Sequence, residues 1–96
     1  MALLVRADGR IDIVLPGAGN EFTVTELQDF VGGYIEMIPV TAAVAGFEGE
    51  FQMMFCNEEG KFKDLPMNLI ATALSPNGRR DPVVGDVVLC TTGEVS

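Results

Sequence analysis

The chain has 96 residues, a formal net charge of −8 and an apolar fraction of 48%. This length suits a single domain, which we expect to span residues 1–96, and the apolar fraction predicts a folded core rather than disorder. The acidic excess disfavours nucleic acid and membrane surfaces as direct partners, and no apolar run is long enough to cross a bilayer.

A β-hairpin is the first element predicted along the chain. Residues 3–7 and 11–15 are rich in Val, Ile and Leu, and Asp8-Gly9 between them tolerates the positive φ of a tight turn. Successive residues of a strand face opposite sides, so we expect one face of the second strand in the core and the other partly solvated. One face would carry Ile11, Ile13 and Leu15, the other Asp12 and Val14.

A capped helix is predicted just after Thr23. Thr23 and Glu26 have the spacing of a capping box, and Phe22 and Leu27 occupy the positions of a hydrophobic staple. Gly32-Gly33 supplies a residue able to adopt the left-handed conformation that ends a helix. The apolar residues recur at the spacing of one helical stripe, which we expect to pack on the core: Val24, Leu27, Phe30 and Val31.

Four further strands and one more helix are predicted in the remainder. The strands are expected at residues 34–40, 51–56, 61–63 and 83–91, and the short helix from residue 68 or 69 to 74. Residues 51–56 and 87–90 are apolar on both faces, which indicates interior strands, whereas Lys61-Phe62-Lys63 has the character of an edge strand. Residues 41–49 are expected to form a connection.

These elements predict an α+β domain. Its sheet would be small, mixed or antiparallel, with about five to six strands and two short helices in the order ββα-βββ-αβ. Cys56 and Cys90 lie far apart in apolar runs, so we expect buried thiols, although the sequence leaves a disulfide between them open. No signal-peptide pattern begins the chain, and we therefore expect a cytoplasmic protein.

Several segments together resemble the phage and mobile-element domain family of unknown function 3846 over residues 21–90. In chain order they are residues 26–28, 31–36, 57–61, 65–74 and 84–88. The segment at residues 41–50 is longer than the family pattern. The resemblance implies a phage or mobile-element setting, hence the host cytoplasm, and it brings no activity and no catalytic residues.

Catalysis is not expected from this composition. The sequence contains no His, which removes the commonest general base near neutral pH and the His ligands of metal sites. Glu58-Glu59 is the most obvious carboxylate pair, but neighbouring residues on a turn do not face a common point. We predict no catalytic residues, no cofactor and no metal site.

The candidate ligand-binding residues lie in two places. Asn77, Arg79 and Arg80 fall in one loop, where two guanidinium groups can hold a phosphate, and Tyr34 can stack on a base. The alternative for the loop is an exposed turn whose arginines pair with the chain's carboxylates. For Tyr34 the alternative is ordinary packing in a strand.

The leading hypothesis is therefore a small non-enzymatic phage or mobile-element protein that sequesters a nucleotide signal of host defence. Its site would lie between subunits, because the surplus of apolar residues is compatible with a homo-oligomer. The first alternative is an acidic inhibitor or DNA mimic that binds a host defence protein through its carboxylates. The second is an enzyme with an unrecognised carboxylate site.

Overall fold

The computed structural model describes residues 1–95 and contains five strands, two α-helices and one 3₁₀ turn. The strands are β1 (Ala2–Val5), β2 (Ile11–Val14), β3 (Ile35–Ala42), β4 (Phe51–Asn57) and β5 (Val87–Cys90). The helices are α1 (Val24–Val31) and α2 (Leu69–Leu74), and the 3₁₀ turn is Thr92–Glu94. Within the described residues no helix is long and apolar enough to cross a membrane. The predicted α+β class is confirmed.

The five strands form one open antiparallel sheet in the order β2-β1-β5-β4-β3. β5, the last strand in the chain, lies at the centre, so the sheet is completed only when the C-terminal part of the domain inserts between β1 and β4. β2 and β3 are the two edges. Contacts between residues distant in sequence therefore hold the sheet together.

Each face of the sheet carries its own apolar cluster, because alternate strand residues point to opposite sides. The face covered by α2 holds Leu3, Val5, Val40, Ala42, Phe51, Met54, Cys56, Ala71, Val83, Val87 and Leu89. The face covered by α1 holds Ala2, Leu4, Phe22, Leu27, Val31, Phe55, Val88 and Cys90. This arrangement confirms the prediction that the strands near residues 51–56 and 87–90 are interior and covered on both sides.

The predicted N-terminal hairpin is also confirmed. The Arg6 N–H donates to the Arg10 carbonyl at 2.8 Å, and Gly9 has a φ of 95°, in the region that glycine tolerates best. The apolar face expected for β2 is only partly covered: Ile11 is half-buried, but Ile13 and Leu15 are 56% and 70% exposed. β2 is exposed because it is an edge strand, and α2, the helix on the face where Ile11 packs, contacts β3 at the opposite edge of the sheet.

The start and end of α1 follow the sequence signals. The Glu26 N–H donates to Thr23 Oγ1 at 3.1 Å, the Thr23 N–H donates to Glu26 Oε1 at 2.9 Å, and Gly32 ends the helix at a φ of 81°. Phe22 and Leu27 are buried, as expected for a staple. The predicted apolar stripe is narrower than expected, because Val24 is 60% exposed at the first helical position.

A buried asparagine attaches α2 to the sheet. Asn68 Oδ1 accepts from the Ala71 N–H at 3.0 Å, which caps the helix. Asn68 Nδ2 donates to the carbonyls of Val5 and Gly85, both at 2.9 Å. One side chain thus connects α2, the end of β1 and the segment that leads into β5, and the predicted short helix is confirmed at Leu69–Leu74.

The prediction of a strand at Lys61-Phe62-Lys63 is wrong, because residues 58–64 form successive turns. Asn57 Oδ1 accepts from the Glu59 N–H at 2.8 Å, and this local bond turns the chain immediately after β4. The strand predicted at residues 83–91 is shorter than expected, with only Val87–Cys90 in the sheet. β3 extends to Ala42, into the predicted connection.

We expect Thr23→Ala to lower the free energy of unfolding by about 1 kcal/mol, because the first turn of α1 loses the hydroxyl acceptor for the Glu26 N–H. Urea denaturation measures the change. Thr25→Ala is the matched control, since Thr25 is an exposed threonine of the same turn. Equal midpoints for the two variants, at unchanged slope, would show that the cap does not stabilise the domain.

Candidate functional site

Two cavities open on either side of the turn formed by residues 57–64. The first, here the Cys56 cavity, has a volume of about 300 Å³ and lies between this turn, β3 and the loop at residues 75–84. The second, the Tyr34 cavity, has a volume of about 340 Å³ and lies between the turn and the end of α1. The 57–64 turn is therefore the element shared by both cavities.

The Asn57 side chain fixes the start of the 57–64 turn. It is 5% exposed, and its Nδ2 donates to the Val31 carbonyl at the end of α1 at 3.2 Å. The Glu58 N–H donates to the Tyr34 carbonyl at 2.8 Å, which attaches the turn to the residue before β3. Gly33 approaches so closely that a Cβ there would lie 2.9 Å from Asn57 Nδ2, so these segments are packed without room for a side chain.

The loop after α2 forms the opposite wall of the Cys56 cavity. The Thr72 hydroxyl accepts from the Val83 N–H at 2.9 Å and donates to the Val83 carbonyl at 3.2 Å, which holds the two ends of the loop together. Gly78 lies against the Thr72 carbonyl with no space for a Cβ. Across the cavity, Lys61 of the turn forms an ion pair with Asp81 of the loop.

Carboxylates outnumber lysines in both cavities. The Cys56 cavity is lined by the acidic residues Glu36, Glu58 and Asp81 and by one lysine, Lys61. The Tyr34 cavity is lined by Asp29 and Glu59 and by Lys63. Because Lys61 is already paired with Asp81, the Cys56 cavity in particular presents negative charge to an incoming ligand.

An exposed aromatic residue lies at the rim of the Cys56 cavity. Phe62 is 94% exposed, more than any other large apolar residue of the described chain, and Tyr34 beside the second cavity is 65% exposed. Sequence reasoning missed Phe62 because Lys61-Phe62-Lys63 was assigned to an edge strand. The available signal was the turn sequence Asn57-Glu58-Glu59-Gly60, since an aromatic directly after a tight turn has little core to pack against.

The structure does not bring the predicted ligand-binding residues together. Tyr34 lines the Tyr34 cavity, Asn77 lines the Cys56 cavity, and Arg79 and Arg80 are exposed and line neither. Of the alternative expectation, an exposed turn whose arginines pair with carboxylates, the exposed turn is present, but among residues 1–95 neither arginine has a carboxylate oxygen within 4.0 Å. Within residues 1–95, the two guanidinium groups thus have no ion-pair partner.

The candidate catalytic groups are also separated. Glu58 and Glu59, adjacent in sequence, line different cavities. Burial raises the pKa of the Cys56 thiol to about 11 and that of the Cys90 thiol to about 12, so both thiols are protonated at neutral pH. Cys56 belongs to the α2 face of the sheet and Cys90 to the α1 face, and the disulfide left open by the sequence is not formed.

No grouping of three or more His, Cys, Asp or Glu side chains suited to a metal ion occurs among residues 1–95. The acidic residues of the two cavities are thus dispersed along the cavity walls.

Comparison with known proteins identifies a domain family. A family model described as a domain of unknown function (DUF3846) matches residues 2–96. The match includes every residue that lines the two cavities, and it extends the sequence resemblance, seen over residues 21–90, to nearly the whole chain. No curated protein and no solved structure matches the chain.

We expect both cysteines to be reduced and unreactive in the folded protein. Burial keeps the thiols protonated, and their positions on opposite faces of the sheet prevent a disulfide within the chain. Thiol titration without reductant should detect both thiols only after denaturant is added. Rapid modification of the native protein would contradict the burial of Cys56 beneath its cavity.

Proposed function

We propose that this chain, which belongs to the DUF3846 family, is a non-enzymatic domain that binds a basic partner protein through the surface around the 57–64 turn. This surface, here the acidic turn surface, consists of the turn and the residues that line the two cavities beside it. The observation that carries the proposal is Phe62, 94% exposed at the rim of a cavity in which carboxylates outnumber lysines.

The exposure of Phe62 supports a role in binding. Covering an exposed aromatic side chain removes apolar surface from water and so favours binding. Aromatic residues are also enriched among those that contribute most to the affinity of protein interfaces. A second aromatic, Tyr34, lies on the other side of the same turn and is 65% exposed. Phe62 and Tyr34 together provide apolar contact area within an acidic surrounding.

The charge of the acidic turn surface supports a basic partner. Glu36, Glu58 and Asp81 line one cavity, and because Asp81 is paired with Lys61, an anionic ligand would meet the charges of Glu36 and Glu58. The floor of that cavity is apolar, with Ile38, Val83 and the Cys56 thiol. A Lys or Arg side chain combines an apolar stem with a positive end, and these two properties match the floor and the rim.

The absence of catalysis is part of the proposal. The sequence has no His, both thiols have a raised pKa, and Glu58 and Glu59 line different cavities. In the phage or mobile-element setting that the family resemblance implies, the basic partner would be a host defence protein that the domain inhibits.

We expect Phe62→Ala to weaken binding of a short peptide of alternating Arg and Leu by about thirtyfold, equivalent to about 2 kcal/mol for an interface residue of this kind. Calorimetry measures the affinity. Leu69→Ala is the matched control, because Leu69 is 72% exposed on α2 and lines neither cavity. A peptide of alternating Glu and Leu tests the charge preference.

Loss of binding in Phe62→Ala but not in Leu69→Ala supports the proposal, and weaker binding at higher salt supports the contribution of the carboxylates. Equal affinities for wild type and Phe62→Ala contradict it. Equal affinities for the Arg and Glu peptides would contradict the preference for a basic partner. The exposed aromatic side chain would then be the only determinant of the affinity.

Sequestration of a nucleotide remains a second candidate, favoured by the guanidinium groups of Arg79 and Arg80, which pair with no carboxylate of the described residues and lie in the loop that contains Asn77. If these arginines hold phosphates, replacing both with Ala should weaken capture of a cyclic or linear nucleotide by more than tenfold. Under the leading proposal the same double variant binds the basic peptide as well as wild type does, or slightly better. Calorimetry with both probes distinguishes the candidates, and unchanged nucleotide affinity would eliminate the arginine clamp.

A further inference from the structure

The outer edge of β2 has unused backbone hydrogen-bonding groups. The Arg6 N–H donates to the Arg10 carbonyl at 2.8 Å, and β1 and β2 continue in the same antiparallel register. Hydrogen-bonded and non-hydrogen-bonded pairs alternate along such a ladder, so Ile11 and Ile13 direct their N–H and carbonyl groups away from β1. Because β2 is an edge strand of the sheet, these groups point out of the domain.

The side chains along this edge are apolar. Ile13 is 56% exposed and Leu15 is 70% exposed, and both lie on the same side of the strand as the half-buried Ile11. Natural proteins protect an edge strand with proline, lysine or a bulge, and the other edge of this sheet has Pro39 and a bulge between Pro39 and Ala42. The four residues of β2 include neither a proline nor a lysine, and the charge of Asp12 is compensated by Arg6.

We propose that β2 pairs in antiparallel fashion with β2 of a second copy of this chain, about a twofold axis at Ile13. In this register Ile13 lies opposite the partner's Ile13, and Ile11 lies opposite the partner's Leu15. The exposed apolar side chains then form one continuous row across the junction, and Asp12 lies opposite the partner's Val14. The sheets of the two copies then form one continuous sheet across the dimer.

The charges along the edge are compatible with this pairing, although each copy is acidic overall. Asp12 is already paired with Arg6 at 2.9 Å, and no like charges lie directly opposite each other in the register. Arg10 precedes β2 and comes opposite the partner's Pro16. Arg10 is paired with Asp8 of its own chain at 2.9 Å, so its charge is already compensated within each copy.

The proposed junction lies at the opposite edge of the sheet from the acidic turn surface, which is formed near β3 and β4. A dimer would therefore display two copies of that surface at its two ends, and a partner with two basic segments would be bound more tightly than by one copy. The pairing itself does not depend on the proposed function, because it rests only on β2.

Sedimentation velocity over a concentration series tests the pairing. Wild type should dimerise, and Ile13→Lys should weaken the dimer by at least about tenfold, because two ammonium groups would face each other at the twofold axis. Leu69→Lys is the matched control: Leu69 is also exposed, at 72%, but lies on α2. Circular dichroism establishes that each variant is folded.

A cross-link tests the register without relying on a destabilising charge. Directly opposed residues of a hydrogen-bonded antiparallel pair have Cα atoms about 5.5 Å apart, within the range of a disulfide. Ile13→Cys should therefore form a disulfide-linked dimer under mild oxidation, whereas Leu69→Cys should not, and the native Cys56 and Cys90 are buried. A wild-type chain that stays monomeric at every concentration, or a dimer that is unaffected by Ile13→Lys and not trapped by Ile13→Cys, overturns the proposal.

Discussion

The hydrogen bonds of the Asn57 side chain are the interaction on which the candidate site depends. One end of the amide binds the last turn of α1 through the Val31 carbonyl, and the other binds the Glu59 N–H and turns the chain. A buried amide that lost these partners would carry an uncompensated desolvation cost, so the turn is held in one conformation. Without that constraint the 57–64 turn would not separate two cavities, and Phe62 would have no fixed position at their rim.

Local signals in the sequence were sufficient to predict the elements that depend on neighbouring residues. The capping box of Thr23 and Glu26, the hairpin at Asp8-Gly9 and the short helix before Ser75 are all determined by bonds within a few residues, and all three are present. The strand expected at residues 61–63 is absent because a local hydrogen bond favours a turn there. Alternation of lysine and phenylalanine indicated a strand, but the Asn57 side chain accepts a hydrogen bond from the Glu59 N–H and the backbone turns there.

The site itself was harder to predict because it depends on contacts between distant residues. Tyr34 and Asn77 were both named from the sequence, yet they line different cavities, since sheet order decides which loops meet and the sequence does not contain that order in any local pattern. The acidic excess is visible in the sequence, but only the folded chain shows that carboxylates line both cavities around the 57–64 turn, beside the exposed side chain of Phe62.

The most direct test of the acidic turn surface is an NMR titration of the isotopically labelled protein with the peptide of alternating Arg and Leu. If this surface binds basic partners, the amide shifts that change should cluster at residues 33–38, 57–64 and 75–84, and the changes should diminish as salt is added. Peptide-induced changes centred on any other part of the sheet would contradict it.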